Sequence, residues 1–306
     1  HFWNTVPRFA VPVYMMISGA LMLGKEIPLE KAEKKATKAA VLLIVWNFIY
    51  LILSHILRGN KADILQEILA IPVKRQFSAH LWYIYFLVWM YLFAPILGYI
   101  YRVLSVKQQW YFIFITVLLP GILDLYNSFI FFDKNQELIK SFCTFFHPSY
   151  AGIIMLGRLL YDNAAKIKHE KIYALLSLLF GFSGAFFLTA VFCKMRWATS
   201  DLFISENRFF IVFFASGIFL LTVSLRDKFN KMPMKLKKIF AFFSKRSVGI
   251  YLFHEIAIWT IPKIQYLNNF ISYPYDMLLR CCVYFIITIY CVTVMSEIKI
   301  FKKIVM

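Results

Sequence analysis

The chain has 306 residues, 61% of them hydrophobic and only 16% charged, with a mean hydropathy of +0.67. A water-soluble protein of that length could not cover so much apolar surface with so few polar side chains. The formal net charge of +18 therefore points to loops beside a membrane, where Lys and Arg collect on the cytoplasmic side, and no nucleic-acid partner is expected.

Nine apolar stretches follow one another along the chain: about Phe9–Leu23, Ala39–Leu57, Leu81–Tyr101, Trp110–Tyr126, Phe145–Tyr161, Ile172–Phe192, Phe209–Leu225, Val248–Ile261 and Met277–Met295. A helix rises about 1.5 Å per residue, so ~20 apolar residues cross a hydrocarbon core of ~30 Å. The expected fold is an all-α, polytopic transmembrane helical bundle of about nine helices. No long polar stretch interrupts the runs, and residues 1–306 are expected to form a single membrane domain.

Numbering the loops alternately gives two sides of similar total length. Residues 24–38, 102–108, 162–171, 226–247 and 297–306 hold 21 Lys plus Arg, whereas 58–79, 127–142, 193–208 and 262–276 hold 10. The richer side is expected to be cytoplasmic. The first visible helix then runs inward and the C-terminus lies inside, as in a multi-pass protein of the plasma (inner) membrane. His1 to Pro7 has neither a charged n-region nor a cleavage site and does not read as a signal peptide. The sequence is expected to follow at least one earlier helix and to be N-terminally incomplete.

The five cysteines, Cys143, Cys193, Cys281, Cys282 and Cys291, form no CxxC pair or His/Cys metal spacing. Neither a disulfide framework nor a metal site is indicated. No internal repeat, Gly-rich phosphate loop or low-complexity linker is visible. The 18 Tyr and seven Trp can supply interfacial belts, as at Trp82, Tyr83, Trp110 and Tyr111.

Four constellations stand out. The first runs from Pro7 to Gly19. Arg8 can simply snorkel to water at the mouth of a helix, or it can face a cavity and grip an anionic or polar group. Pro12 frees a backbone carbonyl, and Ser18 with Gly19 lets another helix approach. The second is His80-Leu81-Trp82-Tyr83-Ile84-Tyr85. His80 can be a cap or an interfacial residue, yet imidazole titrates near neutral pH and suits proton transfer at a hydroxyl. Trp82 and Tyr83 offer a flat surface to a sugar ring.

The third is Ser244 to Glu255. Tyr251, His254 and Glu255 stand three and four apart, so one helix face can carry all of them. A His–Glu pair in an apolar span is costly unless it lines water or the bundle interior, where Glu255 can also serve as a structural partner. The fourth is the basic stretch Lys31 to Lys38. Ordinary topology and attraction to anionic membrane lipid account for it, but Lys35 and Lys38, three apart, can also cradle a phosphate-bearing donor.

Together these blocks resemble the acyltransferase-3 family of integral-membrane acyltransferases. RFAVPVYMMISGALMLGKE is similar to that family's Arg-containing second helix, and HLWYIYFLVWMYLFAPIL to its His-Leu-Trp segment. SKRSVGIYLFHEI resembles its late Ser-x-Gly-Ile-Tyr-x-x-His helix. KKATK stands where the family has a basic Arg-x-x-Arg-type pair, with Lys in both places here. The blocks occur in the family's order and span nearly the whole chain. The family's leading helix, with the His regarded as central to acyl transfer, has no counterpart here, and His1 sits too close to Arg8 to be that residue.

The resemblance implies acyl transfer, most often of acetyl, from cytoplasmic acyl-CoA to a hydroxyl of an extracytoplasmic carbohydrate acceptor such as an envelope glycan or lipid-linked sugar. It implies catalytic roles for Arg8, His80 and His254 and contact with substrate at Ser18, Trp82, Tyr83, Tyr251 and Glu255. Lys35 and Lys38 would hold the phosphates of acyl-CoA, with no metal required. Arg8, His80 and His254 are expected to converge on one water-filled cavity. A transporter or channel is the rival reading, with Pro120-Gly121 as a helix interruption, although no internal pseudo-symmetry is visible. A non-catalytic glycan-binding relative is a third.

The charge division makes the first test. Cysteine-accessibility labelling should place the 226–247 segment on the cytoplasmic side, and labelling of it from outside would contradict the topology.

Overall fold

The computed structural model describes residues 2–58, 64–70, 77–130, 148–196, 203–260 and 275–297. His1 and Cys143 lie outside them. Among the described residues every regular element is helical. Hydrocarbon offers no partner to backbone N–H and C=O groups, and a helix satisfies them within one segment.

Among the described residues, six helices are long and apolar enough to cross a membrane: Phe2–Met22, Leu29–Leu57, Ala79–Val103, Val106–Leu123, Glu170–Met195 and Leu278–Glu297. The other three apolar runs lie on the helices Pro148–Asn163, Phe209–Ser224 and Met234–Thr260. Two basic stretches that read as loops are largely helical. The Leu29–Arg58 helix takes in Lys31 to Lys38, and Met234–Thr260 takes in Lys235 to Arg246. Lys, Glu and Ala are good helix formers, and the turns begin at Pro28 and Pro233, whose carbonyls accept from the amides of Lys31 and Lys237 at 3.1 Å each. Ser105 and Gln108 form a reciprocal capping box that starts the Val106–Ile113 helix. A π-helical stretch, Phe114–Leu118, precedes Pro120 and absorbs the amide that proline lacks.

The chain packs as two compact units, residues 1–33 with 89–231 and residues 34–88 with 232–306. In the first unit the Pro148–Asn163 helix is buried nearly all round, through Ile153, Ile154, Met155, Leu156, Leu159 and Leu160. Its neighbour, Ala10–Met22, lies backbone to backbone against it. A Cβ on Gly157 would strike the Met16 backbone, and one on Gly19 would strike the Ile154 carbonyl. Small residues permit this approach, which membrane helices use because apolar burial alone does not drive their association.

The one cation inside that central helix is fully engaged. Arg158 pairs with Asp162 at 2.6 Å and donates from Nη1 to the Ala20 carbonyl at 2.6 Å. Asp162 also accepts from the Tyr101 hydroxyl at 2.7 Å, and Arg102 donates to the Lys25 carbonyl at 2.7 Å. Two guanidiniums thus cover carbonyls at and beyond the C-terminal end of Ala10–Met22, where the helix dipole favours positive charge.

The core of the second unit is Leu43, Trp46 and Tyr50 of the Leu29–Arg58 helix, Leu81 and Ile84 near the start of Trp82–Val103, and Leu252 and Trp259 of Met234–Thr260. Trp46 and Tyr50 are completely enclosed. This cluster holds together the two segments that carry His80 and His254 and the Leu29–Arg58 helix packed against them.

Close packing at Gly157 makes a stability prediction. Gly157→Val should cost about 1–3 kcal/mol, as overpacking of a tight core does, and should lower the thermal midpoint in detergent. An unchanged midpoint would contradict the backbone contact.

Candidate active site

His80 occupies a single 3₁₀ turn, Ala79–Leu81, that leads into the Trp82–Val103 helix. The preceding Ser78 is extended and buried, and stands where a serine usually caps a helix. Its hydroxyl makes no such cap and instead pairs with His80 Nδ1 at 2.8 Å. One turn upstream, the buried amide of Asn47 braces the segment. Asn47 Oδ1 accepts from the Phe77 backbone N–H at 3.2 Å, and its Nδ2 donates to the Leu43 carbonyl at 3.0 Å.

The Met234–Thr260 helix supplies the facing residues. Tyr251 donates its hydroxyl to the His80 carbonyl, tying the helix to the turn. Tyr50 donates to the Leu252 carbonyl at 2.7 Å. His254 Nδ1 lies 2.6 Å from the Tyr251 carbonyl. A carbonyl only accepts, so Nδ1 carries a proton, and in the neutral imidazole Nε2 holds the lone pair. Glu255 Oε1 accepts from the Trp259 indole N–H at 3.0 Å.

The two imidazoles meet at 4.8 Å between ring centroids. His80 also meets the rings of Tyr50 and Tyr251, each at 5.2 Å edge to face. One donor nitrogen of each histidine and one oxygen of Glu255 lie within 4.8 Å of one another. His80 Nε2 is buried beside the Leu252 carbonyl and makes no hydrogen bond of acceptable geometry. The site is a nest of aromatic rings holding two imidazoles and a carboxyl group, an arrangement that can accept a proton from a bound hydroxyl.

The structure therefore brings together His80, His254, Glu255, Tyr251 and Tyr83, whose ring lies 5.9 Å from that of Tyr251. Trp82 is half-buried beside Tyr83 at 5.9 Å. Arg8 and Ser18 belong to the other unit. Arg8 donates to Asn4 Oδ1 from Nη2 at 2.8 Å and from Nε at 3.3 Å, and Ser18 donates to the Tyr14 carbonyl at 2.9 Å. Lys35 and Lys38 are exposed on the Leu29–Arg58 helix, whereas the neighbouring Ala36 and Ala39 are buried.

Sequence reasoning missed Asn47, Tyr50, Ser78 and Trp259. Asn47 and Tyr50, three apart, stand in a largely apolar span, and polar groups there generally mark bundle-interior contacts. That signal was present.

These features define a multi-pass helical membrane protein with a histidine pair at an interhelical site. The family model for acyltransferase-3, described as an acyltransferase domain, matches residues 1–297. The chain belongs to that family and is a membrane acyltransferase. No curated protein and no solved structure matches it.

Replacing the brace tests the local geometry. Asn47→Ala leaves the Phe77 amide without its acceptor and should cost about 1–3 kcal/mol, with faster hydrogen exchange at residues 77–81. Unchanged exchange there would mean that Asn47 does not hold the His80 turn.

Proposed function

We propose that this protein is a membrane-bound O-acyltransferase that moves an acyl group, in the simplest case acetyl, from cytoplasmic acyl-CoA to a hydroxyl of an extracytoplasmic glycan or lipid-linked sugar. The observation that carries the reading is the His80–His254 pair, with His254 Nδ1 hydrogen-bonded to the Tyr251 carbonyl, in a chain of the acyltransferase-3 family. His254 Nε2 takes the proton of the acceptor hydroxyl as that oxygen attacks the thioester carbonyl. The C–S bond then breaks, and the departing CoA thiolate recovers the proton. A thioester is already activated, so the protein's task is to supply a base, orientation and polar groups for the developing oxyanion.

The remaining roles follow the residues' chemistry. Trp82 and Tyr83 offer flat faces to a sugar ring. Tyr251 positions His80 through the backbone, and Glu255 supports positive charge developing on the imidazoles. Arg8 suits an acyl carbonyl or polar acceptor group, with Ser18 on the same helical segment. Lys35 and Lys38, exposed and three apart, suit the phosphates of CoA. The acceptor side and cytoplasmic donor side rest on the division of Lys and Arg among the loops.

Membranes carrying the protein, incubated with labelled acetyl-CoA, should transfer label to a glycan or lipid-linked sugar fraction, and absence of label from both would overturn the reading. Converting both Lys35 and Lys38 to Glu should weaken CoA binding and reduce its dependence on ionic strength. Unchanged affinity would leave the lysines as topology signals only.

A further inference from the structure

The three groups that meet at the candidate site have a second property that proton transfer does not use. Each has one heteroatom tethered to an outer partner and another left available. His80 is held at Nδ1 by Ser78, His254 at Nδ1 by the Tyr251 carbonyl, and Glu255 at Oε1 by the Trp259 indole. His80 Nε2 is buried without a satisfactory hydrogen bond. Oriented imidazoles whose second nitrogen is held by a hydroxyl or carbonyl, together with a tethered carboxylate, have the outer-sphere arrangement of metal ligands.

We propose that His80, His254 and Glu255 form a binding site for one divalent cation of the zinc class. Two imidazoles and a carboxylate suit Zn²⁺, which takes three protein ligands and leaves a fourth position for water or another oxygen. The oxygen-seeking Mg²⁺ and Ca²⁺ fit this donor set poorly. The donor atoms stand within 4.8 Å of one another. A tetrahedral ion with bonds of about 2.0–2.1 Å brings its ligands to roughly 3.3 Å. Small rotations of the two imidazoles and of the Glu255 side chain, which is hydrogen-bonded to the Trp259 indole, would supply that contraction. The sequence carries no metal motif because His80 comes from a turn far along the chain from His254 and Glu255.

The binding claim stands apart from the proposed acyl transfer. One consequence does rest on that reading: a cation on the Nε2 atoms takes the lone pairs that would accept the hydroxyl proton, so Zn²⁺ should inhibit.

The test uses the whole chain, purified in detergent, stripped with a chelator and titrated with Zn²⁺. One equivalent should bind. His80→Ala, His254→Ala and Glu255→Gln should each weaken binding by more than about tenfold, the least that even a change outside the ligand shell commonly costs. Ser78→Ala should weaken it about 10–100-fold. Binding by the His80→Ala/His254→Ala variant that equals wild type would overturn the proposal. X-ray absorption at the zinc edge of the wild-type protein needs no variant. Two imidazole nitrogens in the shell support the site, and an all-oxygen shell overturns it. Stoichiometric binding without any effect on label transfer would refute only the inhibitory consequence.

Discussion

Hydrocarbon provides no hydrogen bonds, and that constraint governs both the helices of this chain and the places where its polar side chains lie. Backbone groups are satisfied within helices, whereas a polar side chain on an apolar helix must find its partner in a neighbour or in its own preceding turn. The polar residues of the two units follow this rule. Arg158 is consumed by Asp162 and the Ala20 carbonyl in the first unit. Asn47 and Tyr50 are consumed by backbone groups of adjoining segments in the second.

Against that background the histidine site is conspicuous for what it leaves over. Ser78, Tyr50, Tyr251, Asn47 and Trp259 spend their hydrogen bonds on position. They fix a 3₁₀ turn against a helix and orient two imidazoles and a carboxylate within it. One donor nitrogen of each imidazole lies within 4.8 Å of the other and of a Glu255 oxygen. Preorganised groups of this kind need little rearrangement when charge develops on them, which is how a site built from weak bases assists a reaction. The same tethering suits it to chelation, since proton and cation seek the same lone pairs.

The described parts of the nine apolar runs lie on helices because hydrocarbon leaves the backbone no partner outside its own segment, and their apolar character alone announces it. Boundaries were less legible. Charge marks Lys31–Lys38 and Lys235–Arg246 as membrane-flanking, but charge does not end a helix, so these segments continue the helices they adjoin. The His-Leu-Trp and Tyr-x-x-His blocks were readable as local patterns. Their meeting was not, because nothing in one segment records the register of the other. Ser78 was hidden for a different reason: it has the sequence context of an ordinary helix cap, and only the structure shows its hydroxyl turned to His80. The role expected of Arg8 remains a matter of the family pattern, while its visible partner is Asn4 in its own turn.

The central claim is that His80 and His254 act as one unit in acyl transfer, and a double-mutant cycle on transfer rate measures it most directly. His80→Gln and His254→Gln should each lower the rate by about 10²–10⁴, the range for loss of a general acid or base. Residues acting as a unit are strongly non-additive, so the double variant should be about as slow as the slower single variant. Losses that multiply in the double variant would show two independent contributions and contradict the account.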